Sequence, residues 1–274
     1  MKNLSVLFLI LLLSACSSPV TNSEKEPEFK PFYNARGCFL LYNLKTQKFE
    51  KEVGDACQER YPACSTFKVP LAVMAFDSGV LKDEKQVLRW DGKKRMHETW
   101  NKNHDAKSWM ADSVVWFSQK LTPKMGEKKF KKYLKDFNYG NQDISTGITT
   151  AWLNSPSDPR GSLAVTAFEQ TEFMKKLWLN ELPVSKRSID LTRQITYLET
   201  SPNGFKLSGK TGSNFYDNER KVQLGWFISH ITNGEKEYIA VTHLSDLRPV
   251  ETDKFGGFRA KMITKKMLEE SGLW

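Results

Sequence analysis

Ser65 and Lys68 stand three residues apart in Ser65-Thr66-Phe67-Lys68, the one S-x-x-K pattern in the chain. On a helix, residues i and i+3 share a face, so the serine hydroxyl and the lysine amine meet there. A serine at neutral pH needs a base to become a nucleophile, and a lysine in an apolar site loses its charge readily enough to serve. A helix N-terminus at the serine adds a favourable dipole and free N–H groups for a developing oxyanion. A second constellation lies downstream in Lys210-Thr211-Gly212, preceded by Ser208-Gly209 and followed by Ser213. A cation and a hydroxyl on a strand edge hold a carboxylate, and small glycines let that edge approach closely. Taken singly each motif is weak: S-x-x-K arises by chance about once in a chain of this length, and K-T-G also suits a plain strand-to-turn transition.

The elements that must position these residues follow from periodicity. Short strand-like runs cover 37–43 and 48–53, and 65–79 is apolar on nearly every side, as in a fully buried helix ending at Gly79. Pro70 objects locally, because a proline there removes a helical hydrogen bond to the Thr66 carbonyl. Helical periodicity marks 106–119, 123–136 and 185–198, and Thr166-Ala167-Phe168-Glu169 is a capping box opening a helix through Trp178. Strands return at 204–208, 222–231 and 237–244, which places K-T-G at a strand end, and a helix closes the chain near 255–270. Strands, a helical block, more strands and a closing helix are the order of an α/β sheet domain with an all-helical insertion.

In this order the two motifs resemble the penicillin-recognising serine enzymes, the penicillin-binding proteins and serine β-lactamases, for which the same pairing is known in class A enzymes. The middle motif departs from class A: Ser113-Val114-Val115 stands where S-D-N would be, and Tyr139-Gly140-Asn141 follows. S-x-V and Y-G-N with S-T-F-K and K-T-G look like the class D, oxacillinase-type set. The words GCFLLY, STFKVPLAVMAFD, WNKNHDAKSWM, YLKDFNYGNQD and GWF agree, from about Gly37 to the last helix. The resemblance implies an α/β (α+β) fold of the β-lactamase/transpeptidase type, an antiparallel sheet flanked by helices with an all-helical insertion. It implies β-lactam hydrolysis through a Ser65 acyl-enzyme, hence antibiotic resistance.

Valine at position 115 makes the surroundings of Lys68 drier than asparagine would, and a neutral amine reacts with carbon dioxide to form a carbamate. The resemblance implies that Lys68 is so carboxylated and acts as general base, carbon dioxide or bicarbonate being the co-reactant. Trp152 matches the family tryptophan whose indole N–H steadies the carbamate, with Val115 and Leu153 as its apolar lid. Ser113 matches the proton relay to the leaving nitrogen, with Lys210 lowering its pKa. The backbone of Ser65 and Ser213 matches the oxyanion hole. Thr211, in the K-T-G closed by Gly212, and Arg259, in GGFRAKM, match the groups that take the substrate carboxylate; Arg248 competes with Arg259. Preference among β-lactams depends on loops around Trp100 and on the strands beyond Val222. Rival readings are an antibiotic sensor that stays acylated, which needs spanning helices, a cell-wall transpeptidase or carboxypeptidase, and a non-catalytic lipoprotein.

The chain has 274 residues, 39% hydrophobic and 27% charged, and a net charge of +9 spread along its length. Scattered basic residues argue against nucleic acid and favour encounter with anionic small molecules or an anionic envelope. Lys2 precedes an apolar run over 4–13, too short to span a bilayer comfortably, which ends in Leu13-Ser14-Ala15-Cys16. This resembles a bacterial lipobox, so residues 1–15 are expected to be a signal peptide and Cys16 the lipidated anchor on the periplasmic side, Ser17 favouring the outer membrane. Residues 16–31 have the composition of a flexible tether, leaving 32–274 as the folded domain. Disulfides persist in an exported chain. A local Cys57–Cys64 bridge is then expected, or none, with Cys38 a buried thiol. His97 and His104 lack metal-ligand spacing, there is no G-x-S-x-G, and no metal is expected.

Overall fold

The computed structural model describes residues 29–153, 162–215 and 222–274. The expected signal peptide and Cys16 lie outside these, as does nearly all of the expected tether; Pro31–Trp274 is one compact unit. Strands β1 (Ala35–Asn43) and β2 (Lys48–Gly54) open the fold, and β3 (Tyr61–Pro62) leads into a 3-10 turn, Cys64–Phe67. A helical block follows: α1 (Lys68–Asp77), α2 (Ala106–Ala111), α3 (Val115–Met125) and α4 (Glu127–Phe137). Then come β4 (Ala164–Val165), α5 (Ala167–Leu179), α6 (Lys186–Thr196), β5 (Tyr197–Thr200), β6 (Lys206–Phe215), β7 (Gln223–Thr232), β8 (Glu237–Asp246) and α7 (Gly256–Glu270).

Six strands form one antiparallel sheet in the order β2-β1-β8-β7-β6-β5, and β3 pairs with β4 in a separate ribbon. Alternation across the strands divides the core in two. Cys38, Leu40, Trp226, Ile228, Ile239 and Val241 face the helical block, where α1 is buried along nearly its whole length. Phe39, Leu41, Phe227, Ile231 and Ala240 face α7, which presents Ala260, Met267 and Leu268. The sheet is thus covered on both faces, as the sequence order implied.

Three local expectations change. The buried helix begins at Lys68, after a tighter turn, so Pro70 occupies the first helical turn, where a missing N–H costs no intrahelical bond. The stretch 106–119 is broken: α2 ends before Asp112, and Ser113 takes φ of 57° before α3 begins. The K-T-G triplet sits within β6, not at its end, because β6 runs on to Phe215.

The cysteine pairing also differs. Cys38 bonds Cys57, their Cα atoms 4.9 Å apart, and Cys64 is a buried free thiol. Asp55 and Ala56 both donate their backbone N–H to the Gly37 carbonyl at 3.0 Å, which folds the chain after β2 back onto β1 and delivers Cys57 to Cys38. Cys64 points its thiol to the Pro62 carbonyl instead. A digest of unreduced protein is expected to yield one linked peptide containing Cys38 and Cys57, with Cys64 alkylated only after unfolding; a Cys57–Cys64 peptide would reverse this pairing.

Candidate active site

The nucleophile turn is wedged against β6. A side chain on Gly212 would come within 3.2 Å of both the Cys64 Cβ and the Thr66 Cγ2, so glycine here sets the distance between strand and turn. Behind the strand, α7 closes in on backbone alone: a Cβ on Gly225 would lie 2.1 Å from the Gly256 carbonyl oxygen, and one on Gly257 2.4 Å from that of Gly212. Gly257 donates its N–H to Ser213 Oγ at 2.9 Å. Since β5 covers β6 only over Lys206–Ser208, the same edge from Lys210 to Ser213 remains open toward Ser65.

Between these walls lies a cleft of about 550 Å³ that brings together Ser65, Ser113, Val115, Leu153, Thr211 and Ser213. Lys68, fully buried, donates to Ser65 Oγ at 3.1 Å. Burial, with Lys210 adding to it, holds the Lys68 amine well below the usual lysine range. Burial likewise pushes Lys210 down to about 7. Lys210 donates to the Thr211 carbonyl at 3.0 Å. Neither amine pairs with a carboxylate among the described residues, so a neutral or half-neutral amine is the cheaper state for each.

Ser113 reaches the cleft through its left-handed backbone, and the turn is fixed from two sides. Val114 donates to the Trp109 carbonyl at 3.1 Å, and Trp100 Nε1 donates to the Asp112 carbonyl at 2.8 Å. Trp152 is fully buried, stacked on Phe67 at 5.1 Å between ring centroids, and its Nε1 finds no hydrogen-bond partner among the described residues. An orphaned indole N–H next to a buried lysine helix is the kind of donor that awaits an oxygen.

Arg259 is tied to a carboxylate of its own chain. Its guanidinium makes a two-pronged pair with Asp246, at 2.7 and 2.8 Å, and it does not line the cleft. The Asp246 side chain is fully buried and claims that cation as its counter-charge. Arg248 donates to Asn34. Sequence reasoning also missed the mouth, where His97, Phe215, Phe255 and Phe258 make an aromatic rim that Met96 extends. The His97 and Phe255 rings lie 6.0 Å apart and those of Phe215 and Phe255 5.9 Å apart. These residues sit on three separate elements, and no spacing in the sequence links them.

The chain matches the family described as the penicillin binding protein transpeptidase domain over residues 24–269. It is 39% identical over 248 residues to β-lactamase OXA-1 of Escherichia coli, 87% of each chain being covered. The chain belongs to the class D serine β-lactamases. The solved structure of the class D β-lactamase BAT-2 delta mutant superposes with a TM-score of 0.77 at 32% identity, covering 88% of this chain and 93% of that one. The C-terminal domain of the Bacillus licheniformis BlaR penicillin-receptor superposes with a TM-score of 0.79 at 30% identity, covering 88% and 92%. Class D enzymes and a receptor domain thus share this scaffold.

The buried Lys68 amine carries a stability consequence. Its folded pKa lies below the unfolded value, so below the free-lysine pKa the unfolded state binds more protons and stability is lost. Replacing Lys68 by Met removes that penalty. In carbon-dioxide-free buffer at pH 7, Lys68→Met is expected to abolish turnover and to raise the thermal midpoint by at least about 2 °C, the shift that roughly 1 kcal/mol produces in a domain of this size. The gap should narrow as pH rises toward the free-lysine pKa; an unchanged or lowered midpoint would contradict the stated cost of the amine.

Proposed function

We propose that this class D enzyme hydrolyses the β-lactam ring through an acyl-enzyme on Ser65. The observation that carries the reading is the fully buried Lys68 amine, 3.1 Å from the Ser65 hydroxyl at the base of a cleft walled by Ser113 and Thr211. Lys68 removes the Ser65 proton as the oxygen attacks the lactam carbonyl. The oxyanion falls toward the backbone of Ser65 and Ser213, at the open edge of β6. Ser113 passes a proton to the ring nitrogen as the C–N bond breaks, with the charge of Lys210 easing its release. Thr211 receives the substrate carboxylate, and Lys210 supplies the attraction. Water then attacks the ester, and Ser65 recovers its proton from the Lys68 side. With Arg259 committed to Asp246, the carboxylate role of that arginine would require the pair to open, so Thr211 and Lys210 are the better assigned groups.

Carboxylation of Lys68 belongs to the same reading. The depressed amine pKa, the apolar Val115 and Leu153, and the unpartnered Trp152 Nε1 all suit a carbamate. A carbamate there would supply an oxygen base for both acylation and deacylation. Its formation consumes the neutral amine and carbon dioxide and releases a proton, so it is favoured above the folded pKa of Lys68 and lost as pH falls through it. Many turnovers of a chromogenic cephalosporin per Ser65 are expected in bicarbonate buffer, with activity falling reversibly at low pH when bicarbonate is removed. A single stoichiometric burst would indicate an acyl-holding sensor instead, and bicarbonate-independent turnover at every pH would exclude the carbamate.

The envelope assignment rests on sequence. Leu13-Ser14-Ala15-Cys16 after an apolar run supports export, cleavage and lipid attachment at Cys16, with the domain on the periplasmic side and the outer membrane as its site. No described helix is long and apolar enough to cross a membrane. Cys16→Ala is expected to move the enzyme from the membrane fraction to the soluble periplasmic fraction; unchanged membrane association would remove the anchor.

A further inference from the structure

Cys64, immediately before the nucleophile, takes φ of 50°. For a residue with a side chain, that conformation is strained and persists only where the surroundings hold it. The holding bonds form one chain, and each of its three side chains is buried. Tyr139 Oη donates to Gln170 Oε1 at 3.2 Å, and Gln170 Nε2 donates to Thr66 Oγ1 at 2.8 Å. Thr66 Oγ1 in turn donates to the Ala63 carbonyl. The Thr66 hydroxyl has a single proton, spent on Ala63, so it must accept from Gln170, which fixes the amide orientation and leaves Gln170 Oε1 to accept from Tyr139. The relay therefore runs one way and spans the whole nucleophile turn, from Ala63 before Cys64 to Thr66 after Ser65.

The mount for this relay is stiff. Gln170 lies in the first turn of α5, whose N-terminus the reciprocal Thr166–Glu169 capping box closes. Arg60, just upstream of the turn, pairs with Glu169, the neighbour of Gln170. Asn141 ties β4 and its approach in three ways: its N–H and its side-chain oxygen meet Ala164 of β4, and its amide donates to the Ser162 carbonyl just before the strand. Tyr139-Gly140-Asn141 therefore serves the turn from behind and does not line the cleft. A buried glutamine is a costly way to fill apolar space, whereas a fully satisfied network specifies one geometry.

We propose that Gln170 is a positioning residue for Ser65: through Thr66 it holds the nucleophile turn in the register that presents the serine oxygen to Lys68 and to the substrate carbonyl. This rests on Ser65 being the nucleophile. A misplacement of about 1 Å costs on the order of 100-fold in rate without weakening binding in proportion.

The test compares Gln170→Met, Thr66→Val, their combination and Thr66→Ser, each well below its thermal midpoint and normalised to folded enzyme. The acylation rate constant and the dissociation constant for a chromogenic cephalosporin are read separately by stopped flow. The expected result is acylation about 10- to 100-fold slower in Gln170→Met and in Thr66→Val, with the dissociation constant unchanged. The double variant should be no slower than the worse single one, since both cut the same bond. Thr66→Ser, which keeps the hydroxyl, should stay within about threefold. Should Gln170→Met fail to fold, Thr66→Val against Thr66→Ser carries the comparison. Wild-type acylation rates in variants with lowered midpoints, or effects that multiply, would reduce Gln170 to a structural role and overturn the proposal. Mass spectrometry of the wild type separates the two failures: no acyl adduct on Ser65 defeats the nucleophile assignment itself, whereas a Ser65 adduct with undiminished rates in the variants defeats only the positioning role.

Discussion

When α1 docks between the sheet and the other helices, the Lys68 amine loses its water, and much of the architecture serves to make that loss tolerable. Every residue of α1 from Lys68 to Phe76 is buried, so no turn of the helix offers the amine a route to solvent. What it gets in exchange is one serine oxygen, a thiol neighbour and a second buried amine. Two lysines in one dry region, without a carboxylate among the described residues to answer them, leave the site short of negative charge. Burial drives both amines toward the neutral state, and an anion bound beside them would favour their return to the charged one.

The sequence carried a good deal of this and concealed the rest, for identifiable reasons. Ser65 and Lys68 were legible because helical spacing translates directly into proximity, and the tightening of the first turn into 3-10 geometry leaves i and i+3 on one face. The Thr166–Glu169 cap was legible because both of its hydrogen bonds are local. The break at Ser113 was not, since neither Gly nor Pro marks it; a polar residue in the left-handed region looks, in one dimension, like a helical residue. The disulfide was misplaced because nearness along the chain was weighed against a partner that only β-sheet register could supply.

Arg259 shows a different limit. The GGFRAKM likeness suggested a group for the substrate carboxylate, but the guanidinium is paired with Asp246 at the end of β8, 13 residues earlier and on another element. Gln170 is the converse case. Nothing in a lone glutamine beside a capping glutamate advertises a tie to a residue 104 positions away. Both illustrate that buried polar partners are a property of packing, which periodicity does not encode.

The walls of the cleft are of two physical kinds. Where β6, β7 and α7 meet at Gly212, Gly225, Gly256 and Gly257, backbone touches backbone, and even one added methyl group collides with a carbonyl or with the nucleophile turn. The rim is different: Phe255 and Phe258 stand about half exposed, where exchanging one side chain for another disturbs little packing. Under selection by new antibiotics, the width of the reaction chamber is therefore nearly frozen while its doorway is free to drift. Heritable change in substrate range has its cheapest path through the rim, leaving the chemistry behind it untouched.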